Sequence, residues 1–150
     1  MASVPAIAAR DLAKSYTRGS ESVHALRGVS FEIAQGEFAA VTGPSGSGKS
    51  TLLHLVGALD RPTSGSVFIH GEEIGGKSER QLRGLRGGRI GFVFQQFYLL
   101  PGLTVAENVR LPLLFSRARV DEGRVAEILE SVGLANRGGH LPSQLSGGEM

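Results

Sequence analysis

Residues Phe38 to Leu59 read FAAVTGPSGSGKSTLLHLVGAL, and the fold turns on this stretch. Phe38 to Gly43 is apolar on successive residues, which predicts a strand buried on both faces, as in the middle of a parallel sheet. Leu52, Leu55, Val56 and Leu59 recur at helical spacing, so the stretch reads strand, glycine loop, helix. The loop, Gly43 to Thr51, fits G-x-x-x-x-G-K-[ST] in full. A phosphate chain needs many donors aimed at one small volume, so the loop must curl with its backbone N–H groups inward. Gly46 and Gly48 allow the left-handed backbone and the close approach this requires. The following helix turns its N-terminus to the anion. Lys49 then serves as a mobile charge on the outer phosphates, and Ser50 offers a hydroxyl to Mg²⁺. A plain glycine-rich turn with an exposed lysine is the alternative.

On the N-terminal side, Ile7 to Tyr16 and Val23 to Ile33 read as short strands, and Ala34 to Glu37 (AQGE) as a turn. On the C-terminal side, Asp60 to Gly65 (DRPTSG) breaks the helix and Ser66 to His70 is strand-like. Arg80, Arg83, Arg86 and Arg89 recur every third residue with Leu82 and Leu85 on another face. That pattern suits a solvated helix face, with a phosphate-rich partner as the lesser reading. Arg89 to Phe94 (RIGFVF) predicts a second buried strand. Thr104 followed by Glu107 is a capping-box pattern, and Pro112 is expected to limit the helix it starts. Another helix is predicted from Asp121, with Val125, Ile128, Leu129 and Val132 as its apolar stripe and Gly133 as its stop.

Composition sets wider bounds. The chain has 150 residues, 41% of them hydrophobic, enough for one real core. Sixteen Lys and Arg against 14 Asp and Glu give a net charge of +2, which is no argument for a nucleic-acid partner. The absence of cysteine removes disulfides and thiolate metal sites and suits a cytosolic protein. No apolar run approaches the roughly 20 residues of a membrane span, and the N-terminal residues do not read as a signal peptide. The 22 glycines gather in loops. His24, His54, His70 and His140 are scattered and are assigned no site.

With Gln95 and Leu145 to Glu149 (LSGGE) added, nearly the whole chain resembles the nucleotide-binding subunit of ATP-binding cassette (ABC) transporters. Tyr16 resembles that family's aromatic A-loop, Gly43 to Thr51 its Walker A, Gln95 its Q-loop and LSGGE its signature. "HALRGVSFEI", "FVFQQFYLLPGLTVAENVRLPL" and "LSGGE" look most like the ATPases of lipoprotein-release and macrolide-efflux systems.

The resemblance implies an α/β P-loop fold: a RecA-like core with an N-terminal antiparallel β subdomain and an inserted helical subdomain, the C-terminal part of the core missing. Residues 1–94 would hold the β subdomain and phosphate-loop part, and 95–150 the Q-loop and helical subdomain. ATP and Mg²⁺ are the implied cofactors. Tyr16, Gly43, Ser45, Gly46, Ser47, Gly48, Lys49, Ser50, Thr51 and Gln95 would bind them, with Ser50 and Gln95 toward the metal. A strand-end tyrosine is the plain reading of Tyr16, and Gln96 is a rival to Gln95. Ser146, Gly147, Gly148 and Glu149 would act in trans on the ATP of a second, head-to-tail ATPase subunit. Glu149 stands where Gln is more usual, and a glycine-rich turn is the plain alternative for the whole motif.

Phe97 to Leu103 would meet transmembrane permease subunits or make a local core contact. The subunit would be cytoplasmic, held at the inner face of the membrane by those permeases. The family's Walker B Asp and Glu and its switch histidine follow the signature and have no counterpart here, so no catalytic residue is assigned. The 150 residues as written are expected to hydrolyse ATP at or near background and to be poorly stable alone. A non-hydrolysing nucleotide-binding module, a small-molecule kinase and a non-transport ABC protein stay open as alternatives.

Overall fold

The computed structural model describes residues 4–116 and 122–150. The chain divides into two compact units, Met1–Phe92 and Val93–Met150.

In the first unit, β1 (Ile7–Arg18), β2 (Glu21–Ile33), β3 (Ser64–Ile69) and β4 (Glu72–Glu73) form an antiparallel sheet in the order β2-β1-β3-β4. All three predicted outer strands are present; β1 runs on to Arg18, β2 begins at Glu21, and β3 begins at Ser64 and stops at Ile69, one residue short of His70. The β1–β2 register runs from Ile7 opposite Ile33 to Arg18 opposite Glu21, and it sets Ser15 against His24 and Tyr16 against Val23. The turn after β2 closes as expected: Ala34 N–H donates to Glu37 Oε2 at 2.7 Å. Helices α1 (Lys49–Val56) and α2 (Glu79–Gly88) complete the unit.

Its core is one cluster. Leu12, Leu55 and Val67 are fully buried, and Leu26, Leu52, Ile69, Leu82 and Leu85 pack with them. Leu82 and Leu85 therefore supply the apolar face of α2, and the arginines supply the other. Arg86 reaches Ala58 O at 2.6 Å and pairs with Glu79, while Arg89 pairs with Glu72 at 3.2 Å. Ser78 caps α2 through a reciprocal capping box with Gln81. Leu59 lies beyond the end of α1 and is 42% exposed, so the helical stripe stops at Val56.

Two predicted strands are not formed. Residues 38–43 and 89–94 have no strand assignment; Phe38 is 95% exposed and Val93 fully so. An unbroken apolar run signals a strand covered on both faces, but a strand exists only through its ladder. Among the described residues the sheet consists of β1 to β4, and neither segment is paired into it.

The second unit is helical: α3 (Val105–Ser116), α4 (Glu122–Ser131) and a 3₁₀ turn at Pro142–Gln144. Thr104 and Glu107 form the expected capping box, with Thr104 N–H donating to Glu107 Oε2 at 2.7 Å and Glu107 N–H to Thr104 Oγ1 at 3.3 Å. Two further N–H groups at this end are taken by loop carbonyls, Val105 by His140 and Ala106 by Gly138, each at 2.9 Å.

Contrary to expectation, Pro112 does not end α3 but lies inside it. Proline removes one N–H from a helix; the tight fastening of the N-terminus, and Val105, Ala106 and Val109 against the second core, hold the helix through that gap. Val125 and Leu129 of α4 are buried in this core with Val105. Ile128 and Val132 are 38% and 62% exposed, so the predicted stripe is only half used. Asp121, the predicted helix start, lies outside the described residues. Gly133 ends the helix with φ of +78°.

Candidate nucleotide site

In the first unit, residues Ser45 to Thr51 and Val23 to Ala25 of β2 line a cavity of about 320 Å³. Gly48 is the pivot between them. Its φ is +89°, and a Cβ there would lie 2.4 Å from Ala25 O and 3.0 Å from Leu26 Cδ2. The loop backbone therefore rests directly on β2 where it enters α1. Gly46 is also left-handed, with φ of +78°, but a Cβ there would meet nothing within 4 Å.

Among the described residues, no side chain caps the N-terminus of α1, and its first turn carries no acidic residue. The contrast within the chain is informative, because Ser78–Gln81 and Thr104–Glu107 close the starts of α2 and α3. A helix start leaves backbone N–H groups without intrahelical partners. At α1 these groups border a cavity whose far wall is Val23 to Ala25, and the dipole there favours negative charge. Lys49 Nζ folds back onto the loop, donating to Gly43 O at 2.9 Å and Pro44 O at 2.7 Å. Both bonds are exchangeable for a phosphate. The donor set, the glycine cradle and the hydroxyl of Ser50 fit a nucleotide polyphosphate with Mg²⁺.

Gly46 to Thr51 are thus gathered in one place, with Ser45 beside them and Gly43 at the foot of the loop. Tyr16 is not in the cavity wall. It is 39% exposed, its hydroxyl donates to Asp60 Oδ2 at 2.9 Å, and Lys14 Nζ lies 4.9 Å from its ring centroid. Burial opposes the ionisation of Asp60, but hydrogen bonds from Lys14, the Arg61 backbone and Tyr16 outweigh it and hold the carboxyl below its ordinary range. Tyr16 and Lys14 therefore brace Asp60, and one face of the ring is already covered.

His24, given no site on sequence grounds, does line the cavity. Nothing in the local sequence marks it; the β1–β2 register and the position of the loop bring it there.

Gln95 and the LSGGE motif belong to the second unit. Gln95 is exposed in a bend after Phe94, whose ring meets Tyr98 edge-on at 5.2 Å. Phe97 is 50% and Tyr98 69% exposed. Asn108 organises the loop that follows, accepting from Leu100 N–H at 2.8 Å and donating to the carbonyls of Leu103 and Thr104 at 3.0 Å each.

At the signature, Glu149 Oε2 accepts from Ser146 N–H at 2.9 Å and from Ser146 Oγ at 2.7 Å, while Arg137 Nε donates to Oε1 at 3.0 Å. The Ser146 backbone and hydroxyl bonds, with the Arg137 guanidinium, hold this carboxyl down to about 2. The Glu149 N–H in turn donates to Ser146 O at 3.0 Å, so the two residues close a tight turn. Gly147 and Gly148 leave the turn between the two residues without side chains.

Known proteins bear on these sites. The profile of the ABC transporter family matches residues 26–150. An uncharacterized ABC transporter ATP-binding protein of Thermotoga maritima is 52% identical over 142 residues, which are 93% of this chain and 61% of that protein. The lipoprotein-releasing system ATP-binding protein LolD of Pseudomonas fluorescens is 48% identical over 95% of this chain and 64% of its own length. The macrolide export ATP-binding/permease protein MacB of Chlorobaculum tepidum is 49% identical over 93% of this chain and 22% of its own. A dimeric structure of the cassette MJ0796 in a post-hydrolysis state with ADP and Pi superposes with a TM-score of 0.87 at 42% identity, covering 95% of this chain and 64% of that one. The chain thus spans about three-fifths of the length of the first of these relatives. An uncapped helix behind a glycine loop, an LSGGE turn on a separate helical unit and a family match over 125 consecutive residues, 26 to 150, lead to one conclusion: this chain belongs to the ABC transporter ATP-binding family.

Proposed function

We propose that the chain is the nucleotide-binding part of an ABC transporter ATPase subunit that binds Mg–ATP at residues 43–51. The observation that carries this is the start of α1, where backbone donors are left uncapped beside a cavity walled by β2. In this reading Lys49 Nζ leaves the carbonyls of Gly43 and Pro44 for the phosphates, and Ser50 Oγ provides a metal-facing oxygen; Gln95 as a metal-facing residue rests on the Q-loop resemblance alone. Bound Mg²⁺ would supply charge neutralisation on the phosphates. Tyr16 as the base platform rests on the A-loop resemblance.

Residues Ser146 to Glu149 face the nucleotide of a second, head-to-tail subunit in this proposal; the dimeric MJ0796 cassette supports such pairing. The exposed aromatics Phe97 and Tyr98 suit contact with membrane permease subunits, which would place the protein at the cytoplasmic face of the membrane. Among the described residues no helix is long and apolar enough to cross a membrane. The similarity to LolD and MacB favours the lipoprotein-release or export type. ATP hydrolysis is proposed for the whole protein, and residues 1–150 are assigned binding and coupling without the activation of water.

The test is equilibrium binding of Mg–ATP to the chain and to Lys49→Ala. Wild-type binding that falls at least about 100-fold in the variant is expected, since removing a charge-assisted contact to two phosphates costs several kcal/mol. Equal binding by both would sink the assignment.

A further inference from the structure

We propose that His24 is a nucleotide-contacting residue, donating from Nε2 to the phosphate chain of a nucleotide held by residues 45–51. The inference rests on the nucleotide reading of that cavity and adds a group from the opposite wall.

Three observations converge on it. First, His24 is a wall residue of the cavity through its place in Val23–Ala25. That wall is fixed to the loop, because the missing Cβ of Gly48 is what admits Ala25 O so closely. His24 is thereby held one residue from the contact that sets the loop against the sheet.

Second, the ring is oriented. The β1–β2 register places Ser15 opposite His24, and Ser15 Oγ lies 2.8 Å from His24 Nδ1. Ser15 is itself anchored, with its N–H donating to Thr63 Oγ1 at 3.0 Å. A serine hydroxyl has one proton to give. In the proposed tautomer the hydroxyl donates to Nδ1 and the ring proton sits on Nε2, which makes that nitrogen a donor.

Third, that nitrogen is not used elsewhere: His24 is exposed, and among the described residues its ring bonds only through Nδ1. A fixed N–H donor beside uncapped helix N–H groups and a lysine completes a set selective for anionic oxygens. Ser15 is then a positioning residue that acts through the imidazole.

The full chain is titrated with Mg–ATP and, separately, with Mg–tripolyphosphate. His24→Ala and His24→Phe should each weaken both ligands about 5- to 10-fold, the worth of one hydrogen bond to a charged group. His24→Gln, whose amide reaches the position of Nε2, should stay within about twofold of wild type. Ser15→Ala should show a smaller loss that Ser15→Thr restores. Far-UV circular dichroism should be unchanged throughout, as His24 is exposed and Ser15 only half-buried.

Wild-type affinity for both ligands in His24→Ala overturns the proposal. So does normal tripolyphosphate binding with weakened ATP binding, which would move the contact to the nucleoside, or normal binding by His24→Phe, which would replace the donor by a ring face. Lys49→Ala separates the two levels. If it abolishes binding while the His24 variants bind normally, only the present inference fails; if it binds like wild type, the nucleotide reading itself fails.

Discussion

Replacing Gly48 and Gly46 by alanine, one at a time, tests whether the phosphate loop is built against the sheet or merely beside it. Both residues are left-handed, at φ of +89° and +78°, so each alanine bears roughly 1–2 kcal/mol for that backbone. Only the first meets a second cost. Its Cβ would lie 2.4 Å from Ala25 O, about 1 Å inside the 3.4 Å at which ordinary contact begins, and a strand carbonyl has little freedom to retreat. Overpacking of this kind costs about 1–3 kcal/mol more. Gly48→Ala should therefore be less stable than Gly46→Ala by roughly 1–3 kcal/mol, or about 1 M in urea midpoint at the slopes usual for small proteins. Urea unfolding followed by far-UV circular dichroism reads this directly. Coincident midpoints for the two variants would refute the claim that β2 and the loop are in enforced contact.

Further outcomes follow from other parts of the molecule. Leu12→Ala removes a fully buried side chain from the first core and should cost about 2–5 kcal/mol, read in the same urea experiment; a loss under about 1 kcal/mol would contradict the packing described. The folded-state pKa of Glu149 lies below its ordinary value of 4.5, at about 2. Its contribution to stability is therefore present above pH 4.5 and is lost as pH falls from there through about 2. A carbon-13 titration of that carboxyl with a midpoint near 4.5 would show the Ser146 and Arg137 bonds to be absent in solution. Tyr16→Phe deletes one hydrogen bond to Asp60 and should lower stability by no more than about 1 kcal/mol. Tyr16→Ala, which removes the ring as well, should weaken ATP binding, and unchanged affinity in that variant would withdraw the A-loop role.

Much of this was legible in the chain. Val23 to Ile33 and Ser66 to His70 carry β-branched residues between turn signals, and β2 and β3 form there. Thr104 and Glu107 announced the start of α3, because a capping box is a local bargain between two side chains and two N–H groups. What local pattern misses is partnership. Phe38–Gly43 and Arg89–Phe94 have the composition of buried strands, yet a strand needs a ladder, and no window of six residues reveals its neighbour. His24 was missed for the related reason that its value comes from Ser15 across the hairpin and Gly48 across the cavity. Pro112 misled in the opposite direction: its helix-breaking chemistry is real, but α3 has more than one fastening at its first turn and continues past the gap.

The closed turn from Ser146 to Glu149 bears on how the signature would receive an anion. The Ser146 hydroxyl and N–H already hold a carboxylate on the same turn, so an incoming phosphate oxygen makes an exchange instead of filling a vacancy. The tethered competitor is always present at high effective concentration, and the net gain is only the difference between two anions at one pair of donors. Displacement from Ser146 leaves Glu149 tied to Arg137 through its other oxygen, Oε1, so the competitor stays beside the newcomer. Affinity at such a turn is modest by construction, and its occupancy is easily reversed when the ligand's charge changes.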